Sequence, residues 1–193
     1  LSPADGAVVP GSVGLAWGAA TDAGFDVPEY DVQVASDAAF LTVESQSTLP
    51  ATGTSPGALP EGVHYWRVRA RDNGGSVSPW SAVWTFTMDT TPPSAPTLTG
   101  PADGAILVTS AQTLTWNAAT DNVGVGTYWV QVSDTTQFNR VWIVYREGPT
   151  SGRTVPLPDR LFYWRVRAED QAGNDSAWSE IWTFRVDALP PTI

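Results

Sequence analysis

Hydrophobic residues recur at every second position along much of this chain, and nowhere at helical spacing. Val13, Leu15 and Trp17 alternate with small or polar residues, as do Tyr30, Val32 and Val34. Trp66, Val68 and Ala70 alternate with Arg67, Arg69 and Arg71, and Trp84 and Phe86 with Thr85 and Thr87. Leu114 and Trp116, Tyr128 to Val132, Trp164 to Ala168 and Trp182 to Phe184 continue the pattern. A period of two sends one set of side chains into a core and the other to the outer face of a sheet. Gly, Pro, Asn and Asp break the pattern at short intervals, which predicts many short strands in a sandwich or barrel. Asp72-Asn-Gly-Gly75 reads as a hairpin turn.

The pattern occurs twice. His64-Tyr-Trp-Arg-Val-Arg-Ala-Arg-Asp72 returns as Phe162-Tyr-Trp-Arg-Val-Arg-Ala-Glu-Asp170. Trp80-Ser-Ala-Val-Trp-Thr-Phe86 returns as Trp178-Ser-Glu-Ile-Trp-Thr-Phe184, and Pro3-Ala-Asp-Gly-Ala7 as Pro101-Ala-Asp-Gly-Ala105. Each pair lies 98 positions apart, and Trp17 and Trp116 lie 99 apart. A single repeat period therefore covers the chain. It predicts one repeat over 1–91 and a second over 92–193, with a Pro-rich linker at about 89–96, Asp89-Thr-Thr-Pro-Pro-Ser-Ala-Pro96. Such a joint is semi-rigid and extended. Residues 187–193 begin a similar joint, so a further copy is expected after Ile193.

The conserved pieces resemble fibronectin type III repeats of bacterial and archaeal surface proteins and secreted enzymes. Trp17 and Trp116 match that family's core tryptophan on its second strand. Tyr30-x-Val-x-Val and Tyr128-x-Val-x-Val match the third strand, and Trp66-x-Val-x-Ala and Trp164-x-Val-x-Ala the sixth. Asp170-Gln-Ala-Gly-Asn-Asp-Ser176 resembles the turn from the sixth strand to the seventh. The resemblance implies an all-β chain of two consecutive seven-stranded fibronectin type III-like β-sandwiches. It specifies fold far more than function. The Arg-Gly-Asp tripeptide is absent, so integrin attachment by that route is not implied.

A second resemblance, partial, is to the Trp-Ser-x-Trp-Ser ladder of cytokine receptors. Its arginines interleave with tryptophans on an outer sheet face. Here the tryptophans stand four apart rather than three, which turns the second one inward. The expected ladder comprises Arg67, Arg69 and Trp80 in the first repeat, and Arg165, Arg167 and Trp178 in the second, with Trp84 and Trp182 in the cores. Each exposed cation–π contact contributes roughly 0.5–1 kcal/mol.

Composition removes most kinds of chemistry. Among 193 residues there is no cysteine, and all ten basic residues are arginine. Disulfides and Lys–Asn cross-links are therefore excluded, and packing must hold the fold, with ten tryptophans supplying aromatic area. The one histidine, His64, has Phe162 as its twin, which points to packing. Serines have no evident base partner. Asp22 and Asp26 lie in turn sequence, where carboxylates cap. The chain is read as non-enzymatic.

The net charge of −10 argues against nucleic acid or an anionic membrane as partner. No apolar run approaches the ~18 residues of a membrane span. Asp5, Asp22 and Asp89, with Asp103, Asp121 and Asp187, flank the repeat ends, so an interdomain Ca²⁺ is the one cofactor left open. Asn174-Asp-Ser176 fits a glycosylation sequon.

The second repeat has the more adhesive outer face. Trp129 and Gln131 are expected beside Tyr163, Arg165 and Arg167, with Trp142 of Val141-Trp-Ile-Val-Tyr145 adding to them, as a glycan- or protein-binding platform. In the first repeat Asp31 replaces Trp129 and is expected to pair with Arg67. The primary expectation is a structural repeat of an extracellular stalk, fibre or adhesin at the cell surface. Its partners would be neighbouring repeats or other copies. The alternative is a carbohydrate- or protein-binding accessory module, appended to a secreted enzyme.

Overall fold

A computed structural model describes residues 1–22, 29–148 and 152–189. Asp26, and residues 190–193 of the second expected joint, lie outside them. The chain divides into two compact units, Leu1–Thr90 and Thr91–Ile193. Among the described residues there is no helix, and so none long and apolar enough to cross a membrane.

In the first unit the strands are β1 (Ala7–Val9), β2 (Leu15–Ala16), β3 (Glu29–Ala35), β4 (Val43–Leu49), β5 (Gly53–Thr54), β6 (Gly62–Arg71) and β7 (Trp84–Met88). One sheet runs β1-β7-β6-β3-β4 and the other pairs β2 with β5. Strand β6 shows how the alternation works: His64, Trp66 and Val68 are buried, while Arg67, Arg69 and Arg71 are only partly so. Its inward residues join Leu15, Trp17, Tyr30, Val32, Val34, Phe86 and Met88 in one core. The Tyr30 hydroxyl reaches past Trp17 and accepts the Ala20 N–H at 2.7 Å, tying a loop to that core.

The second unit contains β8 (Thr97–Gly100), β9 (Ala105–Leu107), β10 (Ala111–Asn117), β11 (Val125–Ser133), β12 (Val141–Glu147), β13 (Gly152–Pro156), β14 (Arg160–Asp170) and β15 (Trp182–Val186). Its sheets run β13-β10-β8 and β12-β11-β14-β15-β9. Leu114, Trp116, Tyr128, Val130, Phe162, Trp164 and Phe184 form its core.

This unit has eight strands rather than the expected seven because the first strand is split between the sheets. Strand β8 pairs antiparallel with β10, then β9 pairs parallel with β15. The repeated Pro-Ala-Asp-Gly motif makes the crossing. Pro101 has no N–H to offer a ladder. Gly104 takes φ 76, which only glycine adopts cheaply. Asp103 Oδ1 accepts both the N–H and the hydroxyl of Thr183, at 2.7 and 2.9 Å, and pins the crossing to β15. The first unit crosses in the same way: Ser2 bridges Ala16, Gly6 has φ 75, and Asp5 binds Thr85 at the same two distances.

Candidate functional site: the cation–aromatic faces

The segment after β6 leaves the two-residue rhythm. Ser78 and Ser81 stand three apart, and each makes a two-way contact with β6. Their hydroxyls accept the N–H groups of Ala70 and Val68, while their own N–H groups donate to the same residues' carbonyls. Ser176 and Ser179 do the same against Ala168 and Val166. The three-residue step turns Trp80 and Trp178 outward over the arginines. Trp84 and Trp182 turn inward, half-buried against the cores.

In the first unit Trp80 lies under Arg67 at 4.4 Å and Arg69 at 4.5 Å. Arg67 is also covered on its other side, by Phe40 at 3.8 Å. In the second unit Arg165 lies between Phe138 at 4.1 Å and Trp178 at 4.2 Å. Arg167 then follows at 5.1 Å from Trp178 and 5.5 Å from Trp129, and Arg146 at 5.4 Å from Trp129. The second face is thus a row of six alternating groups, Phe138, Arg165, Trp178, Arg167, Trp129 and Arg146. Burial, then the charge of the adjacent arginine, lowers the pKa of Arg67 and of Arg165.

Both phenylalanines were missed in the sequence, although they too lie 98 apart. They sit in turns rather than strands, each at positive φ (58 for Phe40, 52 for Phe138), where no strand pattern marks them.

Cross-strand register selects the polar partners. Gln33 lies opposite Arg67, and Gln131 opposite Arg165. Each glutamine Oε1 accepts two guanidinium N–H groups, at 3.0 and 2.7 Å in the first unit and 3.0 and 2.8 Å in the second. The expected Asp31–Arg67 pair is therefore wrong. Asp31 lies opposite Arg69, and it accepts from Arg69 at 2.8 Å, Arg71 at 2.9 Å and the Thr48 hydroxyl at 2.8 Å. Burial pushes the Asp31 carboxyl up, but the hydrogen bonds from Arg71, Thr48 and Arg69 outweigh it and hold it below the ordinary aspartate value.

Of the expected binding residues, Trp129, Gln131, Arg165 and Arg167 come together on one face, with Tyr163 two positions from Arg165 on the same strand. Arg146 and Arg167 both lie over the Trp129 indole, and its N–H donates to Glu169 at 2.8 Å. Trp142 does not join them. A bulge in β12 between Val141 and Ile143 carries it elsewhere, to meet the core residue Phe162 edge-on at 5.7 Å.

His64 is buried against Phe86, with Nδ1 2.6 Å from Glu44 and Nε2 donating to the Pro60 carbonyl at 2.8 Å. Both nitrogens are engaged, so this ring is not a general base open to substrate. Asp5 and Asp103 are committed to their threonines, and Asp121 accepts from the Val123 and Gly124 N–H groups. The sequon amide of Asn174 donates to Asp170 at 2.8 Å, and the Ser176 hydroxyl is buried in its β14 contact.

No family model matches the chain. Among solved structures it is similar to the fibronectin(III)-like modules of Clostridium thermocellum CbhA, with a TM-score of 0.62 at 16% identity, covering 96% of this chain and 91% of that one. The chain has the fibronectin type III-like fold. Two curated relatives carry such likeness into sequence. Endoglucanase B of Cellulomonas fimi is 37% identical over 199 residues, which span 98% of this chain and 18% of that protein. Chitinase A1 of Niallia circulans is 33% identical over 180 residues, 89% of this chain and 23% of that protein. The fibronectin type III-like pair thus matches about a fifth of the length of either relative.

Proposed function

We propose that this fibronectin type III-like pair is a non-catalytic accessory stretch of a secreted enzyme that degrades an insoluble polysaccharide. The observation that supports it most is what the two relatives share. By name they hydrolyse different polymers, yet both align with nearly the whole of this chain through a small part of themselves. A stretch common to a glucanase and a chitinase is not the part that distinguishes their substrates. The chemistry agrees, since the arginines and tryptophans of the ladders are spent on one another. These comparisons favour the accessory reading over the stalk, fibre or adhesin, and an extracellular setting goes with it.

The test is made on a hydrolase carrying the pair. Purified alone, the chain releases no reducing sugar from cellulose or chitin. Excising it from the hydrolase lowers turnover of the crystalline polymer while leaving a soluble oligosaccharide substrate unaffected. Equal loss on both substrates would reject the accessory role, as would hydrolysis by the isolated chain.

A further inference from the structure

All ten tryptophans lie in described residues, and Trp142 is the most exposed of them, at 38%. Its surroundings differ from the ladder. The ring rests edge-on against Phe162. The neighbouring Trp142 side chain is the leading cause that holds the Asp134 carboxyl below its ordinary value. Asp134 binds Arg160 at 2.5 Å and Arg140 at 3.8 Å, and the two guanidiniums approach the indole at 5.0 and 5.8 Å.

Comparison with the first unit shows that this cluster is not part of the shared scaffold. At the positions 98 residues earlier, Asp134, Arg140, Trp142, Phe162 and Arg160 are replaced by Ser36, Thr42, Glu44, His64 and Gly62. All five differ, and all five meet in one place. The ladder residues Phe138, Arg165, Trp178 and Gln131 are identical to their counterparts over the same interval. Packing alone does not demand the aromatic version, because the first unit fills the position with a hydrogen-bonded Glu44–His64 pair.

We propose that the Trp142 cluster is a binding site for a neutral glycan chain. A pyranose ring presents C–H groups on its flat face and hydroxyls around its edge. An anchored indole suits the first, and planar guanidinium donors beside a carboxylate suit the second. Charge decides between glycans. Arg140 and Arg160 are both paired with Asp134, and the whole chain carries −10, so no positive field favours a polyanion. Arg140 is the longer contact and its side chain is 69% exposed, so it is the group a sugar ring displaces from the indole. The site rests on the accessory reading above and gives it a recognition element.

The experiment titrates the full chain with cellohexaose and with chitohexaose, by calorimetry and tryptophan fluorescence, with polygalacturonate as the anionic comparison. One neutral oligosaccharide is expected to bind. Trp142→Ala is expected to weaken it by about tenfold or more, the loss of one stacking contact. The double variant Trp142→Glu/Phe162→His installs the pair that the first unit already accommodates, so it separates lost binding from lost folding and should bind no better than Trp142→Ala. Trp129→Ala should leave the affinity within about twofold. Failure of both neutral probes, preference for polygalacturonate, or unchanged affinity in the double variant would each overturn the site. If excision from a hydrolase still impairs crystalline turnover while neither oligosaccharide binds, this site fails and the accessory role stands.

Discussion

At the scale of single residues, the ladders show strain held in place by contacts. Phe40 and Phe138 adopt left-handed backbone, which costs a non-glycine residue about 1–2 kcal/mol. In return each ring closes the outer side of a guanidinium whose other side meets a tryptophan. The two contributions can be separated by substitution. Phe40→Ala removes the ring and keeps the strain, and should destabilise the first unit by about 3 kcal/mol. Phe40→Gly removes the ring and relieves the strain, and should be about 1 kcal/mol less damaging despite the greater freedom of glycine in the unfolded chain. Urea midpoints of the two variants give the order. If glycine proves the worse substitution, the strained turn is not what the phenyl ring offsets.

At the scale of elements, strand alternation in the sequence identified the core faces of β3, β6, β11 and β14, because a period of two survives wherever one face is dry. Alternation would put Trp80 and Trp84 on one face; it was the resemblance to the Trp-Ser-x-Trp-Ser ladder that set Trp80 and Trp178 outward and Trp84 and Trp182 inward. The anchoring on either side of Trp80 and Trp178 was not legible, since serines hydrogen-bonding in both directions at a three-residue step leave no hydrophobic signal. The Asp31 partner was misread because pairing follows register, which places Asp31 opposite Arg69 and only the structure supplies. Trp142 was misplaced because a bulge shifts one residue out of phase with its strand. The corresponding position in β4 holds Glu44, and its contact with His64 makes the pair 44/64 the polar equivalent of 142/162. The two solutions should be exchangeable only as pairs. His64→Phe alone leaves the Glu44 carboxylate facing an apolar ring and should cost about 2 kcal/mol. Adding Glu44→Trp should recover at least half of that, read as a coupling energy from a double-mutant cycle in urea. Strict additivity of the two single changes would show that the contacts are incidental.

At the scale of the whole molecule, stability is set against acidity. The chain carries twenty carboxylates and ten arginines, with a pI near 4.3 and no disulfide to limit unfolding. Among the described residues, five aspartates are held below their ordinary pKa in the folded chain. Asp5 and Asp103 are held there chiefly by the Thr85 and Thr183 N–H groups, and Asp37 by the N–H groups of Leu41 and Thr42. Asp134 is held by Trp142, and Asp31 by hydrogen bonds that overcome its burial. In the unfolded chain the same groups take up protons near pH 4. Between that value and their lower folded values, the unfolded state binds more protons than the folded one. The stabilisation is therefore complete above the unfolded pKa and is lost as the pH falls through the folded ones. Thermal melts should hold steady from about pH 7 to pH 5 and then drop on the way to pH 3. Asp31→Asn should start lower at neutral pH, because the Arg69 and Arg71 contacts weaken, and should lose less on acidification. A melting temperature that rises between pH 5 and pH 3, or an Asp31→Asn profile parallel to the parent's, would show that these carboxylates do not set the acid limit. The drop would then belong to general charge imbalance below the pI, which added salt screens and the specific hydrogen bonds largely escape.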